Sequence, residues 1–258
     1  MIKELFWKIV SALAPAGEPA PVILMYHSIG NNKAQFTVKP EAFEKQMSFL
    51  RSSGRECLKL SEFASRLKSG TLPKNAVAVT FDDGYVDNYD LALIILKKYS
   101  IPATILISTG YIGKNFTTSN GILIRIMDEE NIRELLKEDL IECMSHSHSH
   151  GILRDMKRED VVKDVKASQN VICNLTGKHP TGFAYPYGKY SDDTVDIVRS
   201  LGFQSAVTVE EGIVAPHTDP LRLPRMAISA TTSMAEFKCK VAKPRSYLAI
   251  KGLVRRKK

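Results

Sequence analysis

Three short clusters gather the side chains of this chain that are able to do chemistry. The first, Thr80-Phe81-Asp82-Asp83-Gly84, sets two carboxylates side by side after an apolar run. Adjacent carboxylates in a low-dielectric site raise each other's pKa unless a cation or hydrogen bonds intervene. A metal ion bound by one leaves the other to act as a base, whereas capping a helix needs a single Asp. The second cluster, Ser145-His146-Ser147-His148-Ser149-His150, holds three of the six histidines. On a helical turn His146 and His150 share a face and can chelate one divalent ion, with His148 pointing elsewhere. In an extended segment all three share a face, and the choice of pair stays open. Two histidines, one carboxylate and open positions make a hydrolytic zinc site, or one for iron or cobalt. The third, Phe183-Ala184-Tyr185-Pro186-Tyr187-Gly188, reads as a turn at a strand end, where an exposed amide can donate to a developing oxyanion.

These clusters must be carried by something, and the hydropathy pattern says what. Continuous apolar runs at 22–26, 76–81 and 103–107 read as buried strands, with further strands opening at 58, 141, 183 and 205. Helical patterns lie between them: Phe43, Met47 and Leu50 on one face, then 63–67, 91–99, 132–140, 161–175 and 192–201. In 161–175 the spacing places Val162, Val165, Gln169 and Cys173 on one side, and Ser61 reads as the cap of the helix over 63–67. Buried strands alternating with helices imply a parallel sheet, either open or closed into a distorted (β/α) barrel, and seven or so strands favour the barrel. Polar residues just after strand ends build the active site of such a fold, and the three clusters fall at such positions.

Together the clusters resemble the polysaccharide deacetylase family, the NodB-homology or carbohydrate esterase 4 group. Thr80 to Gly84 matches its T-F-D-D-G motif, His146-Ser147-His148-Ser149-His150 its H-[ST]-x-x-H, and Pro186-Tyr187-Gly188 its P-[FY]-G. Leu24-Met25-Tyr26-His27-Ser28-Ile29 and Leu223-Pro224-Arg225-Met226 are similar to the opening and closing segments of the branch acting on poly-N-acetylglucosamine-like polymers. The resemblance covers roughly residues 21–230 and implies a distorted (β/α) barrel of the NodB-homology type.

It also implies roles. Asp83, His146 and His150 would hold one divalent ion, zinc first, with cobalt, nickel or iron as substitutes. Asp82 would be the base that takes a proton from attacking water, and His27 the acid that protonates the leaving amine. Pro186 and the amide of Tyr187 would serve the oxyanion. Arg225 would orient Asp82, because the arginine that many members carry at the position of Ala184 is absent here. Met144 and Cys143 stand where smaller residues are common, which would narrow the pocket. His148, His179 and His217 have bland readings, with His217 the fallback for the acid. The implied activity is removal of N-acetyl groups from an amino-sugar glycan, polymeric or lipid-linked, with release of acetate. A non-catalytic carbohydrate-binding relative and a hydrolase of another amide or imide are the competing readings.

At 258 residues, 44% hydrophobic and 25% charged, the chain can bury a sizeable core, which excludes wholesale disorder. Four scattered cysteines without a C-x-x-C pair argue against a disulfide framework. The net charge of +8 suits an anionic partner, and no nucleic-acid motif appears. Part of the excess is Lys251, Arg255, Arg256, Lys257 and Lys258, a basic extension over 231–258. Residues 1–20 form an amphipathic segment and linker, with Ile2, Leu5, Phe6, Ile9, Val10 and Leu13 on one face and Trp7 on its flank. Such a helix can lie in a membrane interface or dock on the protein's own core. The expectation is a cytoplasmic protein touching the anionic inner membrane face through both ends; the rival is secretion, with residues 1–16 or so removed.

Overall fold

The computed structural model describes residues 2–13, 19–118 and 120–255, so the small residues at 14–16 and the basic 256–258 lie outside the described residues. The chain opens with α1 (Ile2–Leu13), β1 (Val22–Tyr26), α2 (Pro40–Ser52), β2 (Glu56–Leu58), α3 (Leu60–Lys68) and β3 (Ala76–Phe81). It continues through α4 (Leu93–Tyr99), β4 (Ala103–Ile107), a hairpin of β5 (Asn115–Thr117) and β6 (Leu123–Arg125), α5 (Glu129–Leu135) and β7 (Ile141–Ser145). Then follow α6 (Arg158–Thr176), β8 (Gly182–Ala184), α7 (Asp192–Ser200), β9 (Ser205–Val207), β10 (Met226–Ala227), α8 (Met234–Ala242) and α9 (Pro244–Arg255).

The main sheet is parallel, in the order β10-β1-β3-β4-β7-β8-β9. It curls until its edges meet: Leu223 bridges Val207 of β9, and Met226 pairs with Leu24 of β1. The result is a distorted (β/α) barrel whose seam is the segment 223–227. The edge of β3 is shared, its lower half pairing with β2 and its upper half with β4.

Strand alternation sorts the side chains into two layers. Val77, Val79 and Phe81 join Leu24, Tyr26, Phe43 and Met47 in the core between the sheet and its helices. Ile23, Ala76, Ala78, Leu106, Met144, Ala184, Val207 and Leu223 fill the barrel interior. Counting on by twos from this interior set reaches Thr80 and Asp82 on β3, His27 beyond β1, His146 beyond β7 and Arg225 on the seam. One parity rule therefore delivers five polar residues to one mouth. Met144 packs within the interior, where its sulfur accepts from Gly182 N, and Cys143 faces the outer core.

Several elements differ from the sequence reading. The buried stripe of α6 is Val161, Asp164, Val165, Ser168, Ile172 and Leu175, so Val162, Gln169 and Cys173 lie at its margin; two buried polar residues disguise the true face. Lys59, not Ser61, is the N-cap of α3. That helix start is satisfied by the barrel floor instead: Leu60 N donates to Thr104 Oγ1 at 2.9 Å and Ser61 N to Glu142 Oε1 at 3.0 Å. α5 begins at Glu129 because Asp128 and Asn131 close a capping box, and it ends at Leu135, five residues short of the predicted boundary. On α1 the flank residue is the one that docks: Trp7 is buried, while Leu5, Phe6 and Ile9 are exposed. Lys251 pairs with Glu211 and lies over the Tyr247 ring instead of standing in a free basic cluster.

Candidate active site

Asp82 N donates to Tyr26 O at 3.0 Å, so the β1–β3 ladder runs one residue past Phe81 and holds the Asp82 side chain inward. The chain then turns left-handed, with φ 73° at Asp83 and 85° at Gly84. This breaks the alternation and brings the second carboxylate to the same mouth. Asp tolerates that conformation better than most residues, and at Gly84 a Cβ would lie 3.3 Å from Ile107. Both oxygens of Asp82 are held by Arg225, Nη1 to Oδ1 and Nη2 to Oδ2, each at 2.7 Å. Arg225 is fully buried; its Nε donates to Thr208 O at 2.8 Å and Nη1 to Thr80 Oγ1 at 3.1 Å. The geometry expected of Arg225 is thus present, supplied by the barrel seam. Burial alone would push the Asp82 carboxyl up; the Arg225 charge and its hydrogen bonds outweigh this and hold it below the usual carboxylate range.

The histidine segment is neither a helical turn nor an extended run. It is a loop with left-handed Ser147 (φ 63°) and His150 (φ 53°). Ser147 Oγ accepts from His150 N at 3.0 Å, and the Asp164 carboxylate of α6 takes His148 N at 2.8 Å and Ser149 N at 2.9 Å. The loop thereby turns His146 and His150 inward and His148 away, where its Nδ1 meets Thr109 Oγ1 at 3.0 Å. Asp164 went unseen in the sequence; its only signal was a carboxylate interrupting an apolar helical stripe.

These three residues fit a divalent ion. One donor atom from each of Asp83, His146 and His150 lies within 4.8 Å of the others, and all three residues are buried. His146 Nδ1 lies 2.9 Å from Ala184 O, a pure acceptor, so the proton sits there and Nε2 presents its lone pair to Asp83 Oδ1 at 3.5 Å. Burial lowers the His146 pKa to about 4, so the ring is neutral at ordinary pH. Two acceptors facing each other repel unless a cation lies between them. His150 Nε2 is 3.1 Å from the same oxygen, and its buried Nδ1 has no partner. Burial would raise the Asp83 carboxyl, but hydrogen bonding to His150 and the nearby histidine charges hold it well below the usual range. Two imidazoles and a carboxylate are the donor set that zinc takes in open sites.

His27 stands at the end of β1, close enough for its charge to bear on both carboxyls. Its ring packs on Phe36 at 4.9 Å, and its buried Nδ1 has no partner. Its backbone is pinned by residues the sequence reading passed over. Asn88 Nδ2 donates to His27 O at 2.8 Å, while Asp87 accepts from Ser28 Oγ at 2.6 Å and Ile29 N at 3.1 Å. Burial raises the Asp87 pKa to about 6. On the opposite wall Pro186 is buried and Tyr187, with φ 57°, sets its half-exposed ring 4.7 Å from His150. Phe116 of the β5–β6 hairpin closes the third side at 5.1 Å from the same imidazole. His217 lies elsewhere: its loop joins the start of β1 through Val214 N to Pro21 O, at the far end of the barrel from Asp82. His179 is exposed in the turn before β8, also at that end.

Known proteins are similar to this chain in sequence and fold. The profile of the polysaccharide deacetylase family matches residues 69–206. A poly-beta-1,6-N-acetyl-D-glucosamine N-deacetylase of Staphylococcus aureus is 30% identical over 215 residues, which cover 80% of this chain and 72% of that one. Among solved structures, Streptococcus pyogenes deacetylase PplD in complex with acetate superposes with a TM-score of 0.76 at 26% identity, covering 88% of this chain and 99% of that one. IcaB from Ammonifex degensii gives 0.78 at 23% identity over 87% and 96% of the two chains, a likeness of fold. With more than half of its length matched, and with the Asp-Asp and His-His pairs gathered at one barrel mouth, the chain belongs to the polysaccharide deacetylase family of hydrolases.

Proposed function

We propose that this protein is a metal-dependent N-deacetylase of a poly-N-acetylglucosamine-type glycan. The observation that carries the reading is the meeting of Asp83, His146 and His150 beside an aspartate locked to a buried arginine. The substrate class is supported by the name of the Staphylococcus aureus relative.

A divalent ion held by Asp83, His146 and His150 supplies Lewis acidity to the acetamide carbonyl and to water. Asp82 takes the proton of the attacking water; the two Arg225 hydrogen bonds fix its carboxylate against rotation and keep it ionised at working pH. The water oxygen bonds to the carbonyl carbon, and the Tyr187 amide donates to the oxyanion. His27 then hands a proton to the sugar nitrogen as the C–N bond breaks, which leaves acetate and a free amine. Asn88 and Asp87 hold the His27 backbone for that transfer. Aromatic rings of Phe36, Phe116 and Tyr187 wall the mouth and exclude water from it.

The test is metal analysis of the purified protein together with acetate release from poly-N-acetylglucosamine, chitooligosaccharides and a lipid-linked N-acetyl sugar. The reading expects about one zinc, cobalt, nickel or iron per chain. It expects release from the polymer that stops with a chelator and returns with added zinc. Glycan binding without acetate release by the metal-loaded protein would show a non-catalytic relative. Turnover confined to the lipid-linked sugar would move the substrate away from the polymer.

A further inference from the structure

Among the described residues, the outer face of α1 has no partner within the fold. Trp7 is the anchor: it is buried, its ring lies 5.0 Å from that of Tyr247 on α9, and its carbonyl is approached by the Cys239 thiol of α8 at 3.9 Å. This docking turns Leu5, Phe6 and Ile9 outward, with exposures of 60%, 40% and 50%. Three large apolar side chains gathered within two turns of one helix are an unusual thing to leave in water. Cations adjoin them. Glu4 shares a surface hollow with Lys39, just before α2, and with Glu41 and Lys45 on its first turns. Both lysines are exposed, and neither forms an ion pair among the described residues. Lys39 lies three residues after Phe36, the ring that packs on His27, so the cationic edge belongs to the loop that walls the active site.

We infer that this face is a docking surface for an anionic lipid bilayer, with Leu5, Phe6 and Ile9 entering the headgroup region and the lysines meeting lipid phosphates. Apolar side chains on one helical face beside a cationic rim are the combination that holds a helix in a membrane interface. The net charge of +8 opposes two copies meeting face to face and favours an anionic surface. The surface holds the protein by its side, since among the described residues no helix is long and apolar enough to cross a membrane. It also requires α1 to stay with the folded chain, because cleavage near residue 17 would remove Trp7 and uncover Tyr247.

The experiment is sedimentation of the full chain with phosphatidylcholine vesicles with and without phosphatidylglycerol, across a salt series. The expected result is binding to the anionic vesicles only, weakened at least about tenfold in high salt. Leu5→Ser, Phe6→Ser and Ile9→Ser combined should lower it at least about tenfold again with the melting temperature and acetate release unchanged. Trp7, the single tryptophan, reports the geometry. Facing the protein, it should stay unquenched by brominated lipid. Strong quenching would mean that α1 leaves the barrel and inserts alone, which overturns the docked surface. Equal binding to neutral vesicles, no binding at all, a dimer that the triple variant dissociates, or a mature chain starting near residue 17 would each overturn it as well.

Discussion

Replacing Arg225 with Met isolates the interaction on which the site depends. Met keeps an unbranched stem of comparable length and deletes the charge. What remains is an Asp82 carboxylate, 2% exposed, that has lost both of its charged hydrogen bonds, and a Thr208 carbonyl that has lost a donor. Breaking a buried ion pair by removing one partner destabilises a protein by about 3–5 kcal/mol. For a chain of this size each kcal/mol moves Tm by about 2–4 °C, so Arg225→Met should melt roughly 6–20 °C lower at neutral pH.

The pH dependence carries the sharper signature. In the parent protein the folded pKa of Asp82 is depressed. Its contribution to stability is therefore present above the unfolded value near ~3.9 and is lost only as pH falls through the still lower folded value. In Arg225→Met the largest surviving influence is burial, which raises the pKa and outweighs the smaller lowering by His146 and His27. The sign reverses: the variant is penalised least in acid and loses stability as pH rises from about 4 through the raised folded pKa. Thermal melts over a pH series, with chelator present throughout, measure both slopes. Adding Asp82→Asn to Arg225→Met should recover much of the lost stability, because position 82 then carries no unpaired charge. If Arg225→Met melts like the parent, or keeps the parent's pH slope, the buried pair is not what holds Asp82.

Asp83→Ala, His146→Ala and His150→Ala should each abolish metal binding in a zinc-competition titration, whereas His148→Ala should keep it; loss in His148→Ala alone would reassign the ligands. His27→Ala and Asp82→Asn should retain metal and lose acetate release by about 10²-fold or more, and a near-normal rate in either would remove it from the chemistry. Asp164→Ala leaves the His148 and Ser149 amides without acceptors, so zinc affinity should fall about 10- to 100-fold while one ion still binds. Gly188→Ala drives a Cβ into the Val209 side chain at φ 62°, and Val209→Ala should relieve most of the clash but not the backbone strain of at least about 1 kcal/mol; an unchanged melt for Gly188→Ala would refute the close approach.

What could be read in advance and what could not divide along physical lines. The proposed ligands and the proposed base were visible because their chemistry is local: Asp82-Asp83 and His146 to His150 are contiguous, and their types alone suggest a metal. Continuous apolar runs such as Ala76–Phe81 announced buried strands, since both faces of those strands are covered. The conformations that make the clusters work were hidden. Left-handed Asp83, Ser147 and His150 have no side-chain signature, and the loop they shape depends on Asp164, which sits on another element. Helix faces misled wherever a polar residue is buried for a reason, as Asp164 and Ser168 are on α6. On α1 the apolar stripe was easy to see, yet the large Trp7 at its margin decided the docking.

The choice between an open sheet and a barrel turned on the least legible strand. β10 has two residues, and Leu223 adds a single bridge on its other side, so no periodicity could mark that segment. Yet it carries Arg225, 143 residues from the aspartate it holds. Barrel closure and the pairing of Asp82 are thus one event. With the edges apart, Asp82 would be a desolvated carboxylate beside a second one, and its pKa would rise. With the seam in place, Arg225 keeps Asp82 ionised and fixed. The absent arginine at Ala184 then makes structural sense. Ala184 fills the interior two residues before Pro186, and its carbonyl fixes the His146 tautomer. A closing strand is able to deliver the guanidinium from the other side of the barrel without crowding that contact. It follows that the seam, although short, should be among the last places in this fold to tolerate an insertion.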